Sequence, residues 1–260
     1  MTQEKIDLNG YFGNWPYWRL RHGSEDEILR LMDKFGISRM VVTSLRAIFS
    51  DWAQGNEEVK RMVRSHPDRF LWSTSINPVL GENHIAKFEE YLNDATTGLY
   101  LYPLYHNYDL KGQGSILENI LRRAEEVDLP VFIPIRLMMN WSMPVLPMTS
   151  VAELTRQFSN LTIILSGINY GELKQALPLL FHHPKVFIIT SCLQLRGVIE
   201  QLVTLIGVER IFFGTGMPLQ NPACEVAKIG NLELSNDQKN RIFYGNSAEF
   251  LKLSSRTFSD

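Results

Sequence analysis

The chain has 260 residues, 45% of them hydrophobic and 21% charged, enough for one large hydrophobic core or two modest ones. Its 26 basic and 28 acidic side chains leave a formal charge of −2 without a run of like charge, which argues against nucleic acid or a membrane surface as partner. Only Cys192 and Cys224 are present, too few for a disulfide framework, the start MTQEKIDL has no signal-peptide pattern, and no stretch approaches the roughly 20 apolar residues that cross a bilayer, so the reducing cytoplasm is the expected compartment.

The first β-branched run is IDL, from Ile6. A helix follows: Ser24 with Glu27 forms a capping box ahead of Ile28, Leu29, Leu31, Met32 and Phe35, and Gly36 closes it. RMVVTS, FLWSTSI and GLYLY are the next three strands, and Ser115 with Glu118 opens another helix before the fifth, PVFIPI. Trp141 to Ser150, WSMPVLPMTS, carries two prolines and reads either as an extended lid over one end of the fold or as a plain connector. Ser150 with Glu153 caps the next expected helix, LTIILS, KVFIIT and RIFFGT are strands six to eight, Ser235 with Gln238 caps a last helix, and SSRTFSD reads as a frayed end.

Eight strands alternating with helices, spaced roughly 30 residues apart, imply parallel pairing through helical crossovers. An open doubly wound sheet is the competing layout, but it suits fewer strands and usually carries a Gly-rich phosphate loop. The expectation is therefore an α/β (β/α)8 TIM barrel, parallel and eight-stranded with outer helices, in a single domain over 1–260.

Several strand ends together resemble the amidohydrolase-related family of metal-dependent barrel hydrolases and decarboxylases, in register from Ile6 to Leu251. IDLNGYFG resembles that family's Asp-x-His-x-His opening, PDRFLWSTSINP its third strand with the following Asn-Pro, and GLYLYP its Gly-Ile-Lys-Leu-His-Pro fourth strand. LPVFIPI is similar to a fifth strand ending in His, NLTIILSG to a sixth ending in His-x-Gly, ERIFFGTGMP to an eighth reading Phe-Gly-Thr-Asp-x-Pro, and YGNSAEFL to the Gly-Asn-Ala helix start. The resemblance implies metal ligands where this chain has Asn9 and Tyr11, Pro134 or its neighbour, Gly167 and Gly216. An amide, a neutral phenol and residues without side-chain donors do not suit a catalytic divalent ion, so no metal and no cofactor is expected. Some members use the eighth-strand aspartate as a base without metal, and Gly216 stands at that position too.

In a parallel barrel the C-terminal strand ends surround one cavity. Asn9, Tyr11, Arg46, Asn77, Tyr100, Tyr102, Arg136, Asn140, Asn169, Thr190, Gln194 and Arg196 are the polar residues expected there. Arg46, Arg136 and Arg196 could converge on a carboxylate, or each could turn outward to an acid such as Asp51 or Glu172. Of Tyr100 and Tyr102, on one side of a strand, one is expected deeper, packed with its hydroxyl bonded. Trp15, Trp18, Trp52 and Trp141 fall in loops after strands, able to close over a ligand, cover the core or meet another subunit.

His66, His182 and His183 precede strands and belong to the opposite face; His84 reads as solvated; His22 and His106 lie on the functional face, with His106 the better candidate for chemistry although it has no carboxylate beside it. No catalytic acid or base is assignable. Two readings remain open: a metal-independent hydrolase, lyase or lactonase acting on a small polar molecule, an organic acid or sugar acid, or a catalytically inactive barrel serving as a small-molecule binding or partner subunit. A homo-oligomer stays open as well.

Overall fold

The computed structural model describes residues 3–80, 83–92, 95–110, 115–139 and 143–253. Among the described residues nine strand segments follow the eight expected runs: β1 (Lys5–Phe12), β2 (Ile37–Ser44), β3 (Phe70–Trp72), β4 (Thr74–Ser75), β5 (Leu99–Tyr100), β6 (Val131–Pro134), β7 (Ile163–Ser166), β8 (Val186–Ile189) and β9 (Ile211–Phe212). The third run is divided at Ser73, whose hydroxyl donates to Val42 O at 2.8 Å. Every pairing in the orders β1-β2-β3 and β4-β5-β6-β7-β8-β9 is parallel.

The two sheets are one α/β barrel. Thr97 N donates to Trp72 O at 2.8 Å and Thr74 N to Gly98 O at 3.1 Å, which carries the ladder across the break. On the other side Leu8 N donates to Phe213 O at 3.1 Å, Gly216 N to Asn9 O and Tyr11 N to Met217 O, each at 2.8 Å, so the last strand returns to the first. A parallel sheet must bury both faces, and closure also leaves it no unpaired edge.

Helices wrap the strands: α1 (Glu25–Phe35), α2 (Leu45–Phe49), α3 (Trp52–Ser65), α4 (Asn83–Glu89), α5 (Pro103–His106), α6 (Ile116–Glu126), α7 (Met148–Gln157), α8 (Tyr170–His182), α9 (Val198–Ile206), α10 (Pro222–Gly230), α11 (Asn236–Asn240) and α12 (Asn246–Phe250). The boxes of α1 and α11 form as expected, Ser115 accepts from Glu118 N at 3.3 Å, and Gly36 sits at φ 67 where a left-handed residue is needed. One expected cap is corrected. Helix α7 starts at Met148 with Pro147 as N-cap at φ −61, and Ser150 is already in its first turn, donating N–H to Pro147 O at 3.1 Å. The proline's fixed φ has already set the entry before the serine is reached.

Buried side chains fall into two clusters. The larger lies between strands and helices, with Ile28, Met32, Val59, Phe70, Ile163 and Leu202 among its members. The smaller joins Ile6, Leu8 and Val41 to Tyr11, Trp15, Tyr100, Tyr102 and Leu137, and it fills the barrel up to the loops after the strands.

Candidate functional site

β1 carries the chain toward the mouth, and a register irregularity between Asp7 and Gly10 turns its polar residues. Asn9 is buried; its amide donates to Ser191 Oγ at 3.0 Å and its own N–H to Asp7 Oδ1 at 2.8 Å. Tyr11 is fully buried, its hydroxyl has no hydrogen-bond partner among the described residues, and burial, reinforced by Tyr102, Tyr100, Cys192 and Tyr105, raises its pKa well above the phenol's ordinary value. Tyr11 is therefore a protonated donor at neutral pH, neither a base nor an anionic ligand.

Tyr100 is the deeper member of its pair. Its hydroxyl donates to Leu8 O at 2.7 Å and its ring stacks on Phe132 at 4.5 Å. Tyr102 lies one step nearer the mouth, stacked on Tyr100 at 6.1 Å, and burial raises its pKa while Thr43 opposes part of the rise. Above them Trp15 packs edge-on to Phe49 at 5.1 Å and Phe49 to Tyr105 at 5.2 Å. The axial position at the barrel top is thus an aromatic plug. Phenol hydroxyls on Tyr11, Tyr102 and Tyr105, Trp15 Nε1 and Asn9 Oδ1 are its polar atoms without a well-formed hydrogen bond among the described residues.

The three arginines do not converge. Arg46 points out to Glu58 at 3.2 Å; Arg136 bonds Glu172 at 2.5 Å and Gly167 O at 3.1 Å; Arg196 is exposed. A guanidinium beside a carboxylate on its own side of the rim finds it before any central ligand. Asn169 caps α8, with Glu172 accepting from its N–H at 3.1 Å, and lines a cavity of about 230 Å³ with Arg136. Asn77 is half-buried and accepts from Val79 N at 3.1 Å, Thr190 is buried with Oγ1 accepting from Gly214 N at 3.4 Å, and Gln194 is exposed. Asn140, Trp141 and the His84 side chain lie outside the described residues, as does 254–260.

His106 is buried between α5 and α2. Burial lowers its pKa, and Nε2 bonds Ala47 O at 2.9 Å, which ties α5 to α2. His66 ends α3 and pairs with Glu25 at 3.0 Å; His182 and His183 end α8, on the face opposite the mouth. Trp52 is corrected from loop to helix: it opens α3 and packs against Tyr91. In the described part of the suggested lid, Leu146 is buried and its N–H donates to Ile135 O at 2.9 Å, which makes this part a strap along β6 rather than a free flap.

Asp7 was not anticipated. It is fully buried, accepts from Asn9 N and Thr215 N and from Thr215 Oγ1, and burial pushes its pKa up to about 6. Glu225, also buried, is raised to about 7 by burial; it pairs with Lys228 at 2.6 Å, whose ammonium also donates to Thr190 O and Leu193 O. This pair anchors the loop after β8, which carries Ser191 and Cys192, and burial lifts the Cys192 thiol to about 11. An acid set between Ile6 and Leu8 is the cue that the sequence offered for Asp7.

These residues do not fit a divalent cation. Among the described residues no group of three His, Cys, Asp or Glu side chains could hold a metal ion. Gly167 sits at φ +71, and a Cβ there would lie 2.2 Å from Arg136 O, so this backbone admits no imidazole at that strand end. Gly167→His is accordingly expected to lose more than about 2 kcal/mol of stability by urea unfolding without gaining zinc in elemental analysis.

The architecture and its filled mouth define an α/β barrel with its polar residues at the strand C-terminal ends. The chain belongs to the amidohydrolase family, whose model matches residues 11–253. Similar solved structures include the 2,6-dihydroxybenzoate decarboxylase from Rhizobium, at 17% identity and TM-score 0.76 over 97% of this chain and 100% of that one. A dihydroxybenzoic acid decarboxylase from Polaromonas sp. JS666 with bound manganese and the inhibitor 2-nitroresorcinol aligns at 16% identity and TM-score 0.75, covering 98% of each chain. The 5-carboxyvanillate decarboxylase from Sphingomonas paucimobilis aligns at 14% and 0.73, over 96% of this chain and 99% of that one. No curated protein sequence matches the chain. No described helix is long and apolar enough to cross a membrane.

Proposed function

We propose that the chain is a metal-independent member of the amidohydrolase family that binds a small polar, anionic molecule at the mouth of its barrel, in place of turning one over at a bound cation. One observation carries this reading. Tyr11, at the position where the resemblance expects a ligand histidine, is locked and protonated inside an aromatic plug. Asp7 and His106 are committed to bonds that hold the fold, so neither is offered as a general base. A related barrel is solved with 2,6-dihydroxybenzoate bound, which favours a small organic acid as the ligand class. We also infer one barrel domain over 1–260 and a reducing, cytoplasmic setting, in keeping with two free cysteines.

Elemental analysis of the purified protein is expected to find no stoichiometric zinc, manganese or iron, and EDTA to leave the melting temperature unchanged. A bound metal whose removal lowers that temperature would overturn the proposal. A thermal-shift screen of small acids and lactones then identifies the ligand.

A further inference from the structure

A cavity of about 1200 Å³ opens beside the plug, between the loop after β1 and helices α2 and α3. Four arginines line it, Arg19, Arg21, Arg46 and Arg61, with three acids, Glu25, Glu27 and Glu58. Every one of those acids is engaged. Glu25 pairs with His66 at 3.0 Å; Glu27 closes the α1 capping box on Ser24 N at 3.1 Å and Oγ at 2.8 Å; Glu58 accepts from Ser44 Oγ at 2.6 Å and from Arg46 at 3.2 Å.

Arg46 is thereby spent. Arg19, Arg21 and Arg61 are exposed and have no acid within ion-pair distance among the described residues. The lining therefore carries four guanidiniums against three carboxylates, a net charge of +1 in a chain that is slightly acidic overall, and the guanidiniums of Arg19, Arg21 and Arg61 are the ones that no acid among the described residues holds.

We infer that this cleft binds a compact small-molecule polyanion, a polycarboxylate or a di- or triphosphate, through Arg19, Arg21 and Arg61. The inference rests on the proposed reading only in placing the ligand at the mouth. Multiple charge is required because a single exposed ion pair is too weak to hold a ligand alone. Guanidinium forks match carboxylate and phosphate oxygens equally, so both sources share one chemistry.

The test is titration calorimetry with pyrophosphate, citrate and benzoate at fixed low ionic strength, on the wild type, the R19A/R21A/R61A variant and R196A. Pyrophosphate or citrate is expected to bind and to weaken as salt is raised. The triple variant is expected to lose at least tenfold in affinity with its unliganded melting temperature unchanged, and R196A to match the wild type. Benzoate, with one charge, is expected to bind at least tenfold more weakly. Absence of binding by both polyanions, equal affinity of the triple variant, or benzoate binding as tightly overturns the assignment. Stoichiometric metal in the same preparation would instead sink the metal-independent reading and leave the cleft result standing.

Discussion

Tyr102→Ala is expected to cost about 3–5 kcal/mol of stability, read as a lower midpoint in urea and a melting temperature roughly 10 °C lower. Its ring is 1% exposed and lies between Tyr100 and His106, so truncation opens a void that the surrounding strands cannot close. The hydroxyls rank differently. Tyr100→Phe should cost about 1 kcal/mol because Leu8 O loses the side-chain bond it accepts. Tyr11→Phe should be neutral or slightly stabilising because its buried hydroxyl has no partner to lose. A Tyr102→Ala variant as stable as the wild type would show that the barrel top is not packed.

The second large effect is a stability that falls as pH rises. Burial lifts Asp7 from 3.8 to about 6 and Glu225 from 4.5 to about 7, the latter also pushed up by Asp7 and pulled down by Lys228 and by a hydrogen bond from the Cys192 backbone. Both folded values exceed the unfolded ones, so the native state holds these protons more tightly. The stabilisation is complete below the unfolded values and is lost as pH rises through 6 and then 7. At about 1.4 kcal/mol per unit the two groups together contribute on the order of a few kcal/mol between pH 4.5 and 8. Urea midpoints across that window should decline for the wild type. Glu225→Gln is expected to flatten the upper part of the profile and Asp7→Asn the lower part, whatever each does to the absolute level. Identical slopes in all three proteins would refute the assignment.

The barrel was legible because β-branched runs and capping boxes recur along the chain, and each marks a local event with a local cause. Ser24 needs only Glu27, three residues on, to declare a helix. The division of the third strand at Ser73 had no such sign; it accompanies a side-chain bond to Val42 in the neighbouring strand. The site was read less well for the same reason. Arg46 and Arg136 follow their strands, yet their direction is fixed by Glu58 on α3 and Glu172 on α8. Asn9 and Tyr11 lie on β1, but the plug over them is assembled from Trp15 in the loop after β1, Phe49 on α2, and Tyr102 and Tyr105 at α5, positions far apart in the chain. Arg19 and Arg21 stood in plain view in WRLRHG; only folding reveals that Glu25 has been claimed by His66.

Trp15 and Trp18 both line the large cleft, the first 5% and the second 50% exposed, with ring centroids 5.6 Å apart. Trp52 and Trp72 sit elsewhere in the packed interior, where solvent does not reach them. The molecule thus carries its own optical gauge: two of its five tryptophans line the cleft, so occupancy beside the indole pair should alter the emission on top of the signal of the other three, and titration needs no attached dye.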